Sequence, residues 1–205
     1  MRAQLLAGRL PARHYRRARR LVAASGWSMD RPWLNLIALF VQTHPYVPLA
    51  MGGLYVAGLV GGFRSAPLGS HPPMVPAQLA LLDIAGHNLR VIAILSLGGM
   101  GLCVPTVIAG AWNGFLTGSL LAAVLGTPAW FTAVMAHGLP EVVGQWCAMV
   151  GGAELCIALL AWLRRGESAF PGRAAAWIGA AVIATCFAAL IESTLSPHII
   201  LALSR

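Results

Sequence analysis

No charged side chain occurs between Val91 and Leu125, and the chain is apolar, with few interruptions, from Trp33 to Leu203. A water-soluble domain carries about 25% charged and 45–50% apolar residues. This chain of 205 residues has 10% and 58%, with a mean hydropathy of +0.74, which makes it an integral membrane protein. At about 20 apolar residues per span, the run has room for roughly five to seven helices and little loop. The same charge deficit excludes a disordered chain and a nucleic-acid-binding domain, because too few charges remain to build a basic groove.

The formal charge of +8 is concentrated at one end. Arg2, Arg9, Arg13, Arg16, Arg17, Arg19, Arg20 and Arg31 precede the first apolar run, and there is no lysine. Basic flanks stay on the cytoplasmic side, so the N-terminus is expected inside. Residues 1–32 read as a basic juxtamembrane segment, part of it at helical spacing and suited to an anionic lipid surface, although Pro11 weakens a continuous helix. Residues 33–205 read as one membrane domain.

The run from Trp33 to Phe63 spans roughly 46 Å as a helix, more than a bilayer core of about 30 Å, and Pro45 and Pro48 offer a bend. Residues 64–86, rich in proline and glycine, read as an extracytoplasmic loop. The stretch from Val91 to Leu125 is too long for one span and barely long enough for two, which predicts a short or re-entrant pair turning near Asn113. Arg164, Arg165 and Arg173 belong on the same side as the N-terminus, so an even number of crossings separates them. These considerations predict an all-α helical bundle of five spans near 36–62, 87–109, 112–127, 131–162 and 174–196, with an outward C-terminus.

Gly110, Gly114 and Gly118 form a GxxxGxxxG series, and Gly58 and Gly62 a second pair. Small residues at this spacing let helix backbones approach closely, either inside one subunit or across a homodimer seam. The four cysteines lack any metal or disulfide spacing and read as small core hydrophobes. Most tryptophans fall at span ends, where interfacial anchoring explains them; Trp146 is the exception.

Ionisable groups inside a span are expensive, at about 2.5–3.5 kcal/mol each at the centre of a helix, and need partners. The set here is Arg90, His137, Glu141, Glu154 and Glu192, supported by His87, Asn88, Asn113 and Gln145. Counting from the expected outer face puts His137 and Glu141 roughly 9 and 15 Å down, with Arg90 and Glu192 in the same half. Four ionisable groups from three spans are thus expected to converge on one layer. They fit a structural network in which Arg90 pairs with Glu141 or Glu192. They also fit a site gripping a partner or peptide substrate. A third fit takes His137 and Glu141, four apart on one face, as two metal ligands completed by His87 or Glu192 for water activation. No cofactor is called for, and Glu154 has no assigned role.

The order His87-Asn88-Leu89-Arg90 opening a span, Asn113-Gly114, His137-Gly138 with Glu141, and Ile191-Glu192 before Pro197 resembles the stage II sporulation protein M (SpoIIM) family over about residues 85–197. The resemblance implies Asn88, Arg90, Asn113, His137, Glu141 and Glu192 as signature residues. It also implies a scaffold in the bacterial cytoplasmic membrane that organises partner proteins at the cell envelope. Relatives associated with circular bacteriocins imply the alternative of peptide maturation, export or immunity, to which the reading of His137 and Glu141 as groups of a metal-dependent intramembrane hydrolase can be joined. The expected partners are lipid, envelope proteins, a second copy or a peptide, and no nucleic acid.

Overall fold

A computed structural model describes residues 44, 46–68, 81–165 and 172–203, all within one compact unit formed by residues 42–205. The expected juxtamembrane segment 1–32 and most of the proline-rich loop lie outside the described residues. Among the described residues five helices are long and apolar enough to cross a membrane: α1 (Tyr46–Ser65), α2 (Leu81–Leu97, extended by a 3-10 turn at Gly98–Gly101), α3 (Val104–Val124), α4 (Pro128–Arg165) and α5 (Gly172–Leu203). The 20 residues of α1 rise about 30 Å, one bilayer core. Pro48 falls in its first turn, where a missing amide costs nothing, and does not bend it. Pro140 and Pro197 lie inside α4 and α5.

The middle of the chain differs from the sequence expectation. The break lies at residues 98–103 instead of near Asn113, and it separates two full-length spans, not a short or re-entrant pair. Gly98, Gly99 and Gly101 are poor helix formers, Leu102 and Cys103 take left-handed φ values of 55° and 65°, and Pro105 stands in the first turn of α3. Asn113 leaves α3 unbroken because its amide donates to the Ala109 carbonyl one turn back, at 2.8 Å. Across the break, the Thr106 hydroxyl donates to the Leu95 carbonyl at 2.8 Å.

Close backbone approach sets the helix directions. A Cβ built on Gly114 would strike the Tyr55 carbonyl, and one on Gly118 would strike that of Leu59. Both positions advance by four, so α1 and α3 run in the same direction, with Gly58 and Gly62 completing the seam against Ala111 and Phe115. The glycine series therefore faces α1 of its own chain. On α4, Gly144 meets Ala181 and Thr185 whereas Gly151 meets Ala174 and Ile178, so α5 runs antiparallel to α4. Helix α4 packs against every other helix. Its Trp146 is half-buried, donating Nε1–H to the Pro48 carbonyl at 3.0 Å and meeting the Trp177 ring edge-on at 5.7 Å.

Heights along the bundle follow from these contacts. Gly152 meets Gly99 and the Leu95 carbonyl, Gly151 meets Ala174, and His44 reaches Glu154. The 3-10 turn thus ends, and α1 and α5 begin, near the height of Glu154. From Glu154, α4 runs on to Arg165, about 16 Å further; this side of the bundle is called the Arg164 end.

Candidate functional site

His137, Glu141 and Gln145 recur every four residues on α4 and so share one face. His137 Nδ1 lies 3.1 Å from Ser196 Oγ on α5, and the Ser196 hydroxyl donates to the Ala133 carbonyl at 3.4 Å. The tautomer of His137 sets which of the two is the donor: Nδ1–H gives to Ser196 Oγ, or a bare Nδ1 accepts the serine proton. Gln145 Nε2 donates to Glu141 Oε1 at 3.0 Å, and Glu141 interacts electrostatically with both His137 and Glu192. His137, Glu141 and Glu192 are therefore gathered in one region of the α4–α5 interface.

The other sequence-derived residues have separate fates. Asn88 is buried, and the two tight turns before and after α3 make α2 parallel to α4. Counting back two helical turns from the Leu95–Gly152 contact sets Asn88 level with Gln145. Arg90, two residues on and about 200° around the helix, is exposed and forms no ion pair among the described residues. It therefore joins neither Glu141 nor Glu192, because burying Asn88 turns Arg90 outward. His87 is exposed as well. Asn113 spends its amide inside its own helix. Among the described residues no three His, Cys, Asp or Glu side chains are placed to hold a metal ion, so His137 and Glu141 gain no third ligand from His87 or Glu192.

Three buried polar atoms at the Gln145 height lack a hydrogen-bond partner among the described residues: Asn88 Nδ2, Gln145 Oε1 and Thr185 Oγ1. The Thr185 hydroxyl sits in the notch left by Gly144, 2.5 Å from where a Cβ would stand. An unpartnered buried hydroxyl costs about 1–3 kcal/mol. Thr185→Val, at a position only 1% exposed, should therefore leave stability unchanged or raise it by about 1 kcal/mol. Thermal unfolding in detergent measures this, and a loss above about 1 kcal/mol would mean the hydroxyl has a partner in the working protein.

A second centre, to which the sequence assigned no role, forms around Glu154. Its residue is 2% exposed. Oε1 accepts the His44 backbone N–H at 3.2 Å and lies 3.3 Å from His44 Nδ1, while Arg173 Nε is 3.2 Å from Oε2. One carboxylate thus ties the entry to α1, the body of α4 and the first turn of α5. Helix N-termini favour negative charge, and two helix starts lie beside this one. Next to it is a cavity of about 410 Å³ lined by His44, Ile157, Leu160, Ala161, Arg164 and Arg173. The available sequence signal was slight: Glu154 is a lone acid in an apolar run whose next helix begins Gly172-Arg173.

Five apolar helices enclosing hydrogen-bonded ionisable side chains define a polytopic α-helical membrane protein. Residues 49–197 match the family described as SpoIIM, stage II sporulation protein M, and the chain belongs to that family. The match begins in the first turn of α1, so it takes in the α1–α3 glycine seam as well as the polar residues of α2 to α5. No curated protein and no solved structure matches the chain.

Proposed function

We propose that the protein is an assembly component of the bacterial cytoplasmic membrane that organises envelope partners, with the N-terminus and the Arg164 end facing the cytoplasm. One observation carries this reading: three ionisable groups inside the bundle are engaged by other side chains, two of them across helices and Glu141 within its own. His137 is bound to Ser196, Glu141 to Gln145, and Glu154 to His44 and Arg173. Polar groups spent in this way lock helix against helix, and a rigid bundle with apolar outer faces is what a membrane scaffold requires. The orientation is supported by α1 starting at the end that carries Arg164 and Arg173, in line with cytoplasmic retention of basic flanks.

The test is complementation of a deletion strain with His137→Gln and Glu141→Gln. Both variants keep hydrogen-bonding capacity, so they should fold, retain co-purifying envelope partners and restore function to within about twofold, a difference of under 0.5 kcal/mol. Complete loss of function in folded, partner-bound protein would assign His137 or Glu141 to chemistry and sink the scaffold reading. In the same cells, Arg164→Cys should react with a membrane-impermeant thiol reagent only after the membrane is opened, and Leu68→Cys without opening it.

A further inference from the structure

Past Glu154, α4 continues through the apolar stretch 155–163 while α1, α2 and α5 have begun or ended. The cavity of about 410 Å³ lies along this extension. Ile157, Leu160 and Ala161 supply an apolar wall, and His44, Arg164 and Arg173 supply the basic groups. From Ile157 to Arg164 the helix rises about 10 Å. The charges are unevenly satisfied. Arg173 faces Glu154, whereas Arg164 is exposed and forms no ion pair among the described residues.

Among the described residues the lining selects a ligand class by elimination. Two guanidinium groups and an imidazole are wasted on a hydrocarbon, and the apolar wall beside them is wasted on a small inorganic ion. A cation is disfavoured because the acid at hand, Glu154, already has Arg173 against it. An anionic amphiphile satisfies both parts. Phosphate oxygens match the arginine fork, and basic pockets between membrane helices suit acidic headgroups.

We propose that this cavity binds an anionic phospholipid, its phosphodiester held by Arg164 and Arg173 and its chains lying along Ile157 and Leu160. The site is separate from the His137–Glu141 network and does not depend on the scaffold reading. The full-length protein, purified in mild detergent, is titrated with phosphatidylglycerol, phosphatidylcholine and inorganic phosphate, and bound ligand is counted by native mass spectrometry. Phosphatidylglycerol should bind, and Arg164→Gln should weaken it about tenfold, the loss of one charge-assisted hydrogen bond. Arg164→Lys should keep most of the affinity, and added salt should reduce it. Because Arg164 is exposed and forms no ion pair among the described residues, lipid-free unfolding of both variants should match the parent. Three results would overturn the proposal: phosphatidylcholine binding equally well, Arg164→Gln leaving phosphatidylglycerol affinity unchanged, or inorganic phosphate binding as tightly as the lipid.

Discussion

Arg173→Leu should lower the stability of the bundle by about 3–5 kcal/mol, the usual cost of breaking a buried ion pair from one side. The reason is the unequal exposure of the partners. The Glu154 side chain is 1% exposed and cannot turn to water, whereas that of Arg173 is 35% exposed. Removing the arginine strands the carboxylate with His44 as its one other partner among the described residues. Removing the acid leaves a cation that solvent reaches, so Glu154→Gln alone should cost only about 1–2 kcal/mol. Its amide oxygen can still accept the His44 N–H. The double variant should be more stable than Arg173→Leu by at least about 1.5 kcal/mol, since no buried charge remains. Reversible unfolding in mixed micelles gives all three values. Equal stabilities for Arg173→Leu and the double variant would show that this pair does not hold the Arg164 end together.

Gly118→Ala and Gly62→Ala should each cost about 2–3 kcal/mol, with larger losses for leucine. A methyl group at Gly118 falls on the Leu59 carbonyl, and one at Gly62 on that of Phe115. Backbone cannot rotate aside as a side chain can, so α1 and α3 must part along their length. In lipid no hydrophobic drive compensates for the lost packing. Gly53→Ala and Gly179→Ala are the controls, because nothing lies within 4 Å of an added Cβ at either. They should be neutral or stabilising by up to about 1 kcal/mol through helix propensity. Similar losses at all four positions would mean that glycine content, not the α1–α3 contact, governs stability.

These two centres differ in how far they could be read in advance. The glycine spacing announced a close contact, yet it fits both a neighbour in the same chain, the favoured reading, and a second copy, because a motif describes one surface and not the surface that meets it. The face shared by His137 and Glu141 follows from helical periodicity alone, and the structure adds Ser196 and Gln145 to it. Arg90 illustrates the opposite case. It is two residues from Asn88, and a helix cannot bury both on one side, so burial of the amide decided the direction of the guanidinium. The turn at residues 98–103 was obscured by counting apolar length, which put weight on Asn113. The glycine cluster before Pro105 carried the information, since it combines poor helix formers with a residue favoured in the first turn of a helix.

Membrane class, the count of five spans and the shared face of His137 and Glu141 were determined by the amino-acid sequence itself. Each depends on a local quantity: apolar length against bilayer thickness, or helical repeat. The partner of Glu154, the outward turn of Arg90 and the pairing of α1 with α3 were decided only by tertiary structure. They require contacts such as that between His44 and Glu154, 110 residues apart, and no local pattern specifies which distant group will arrive.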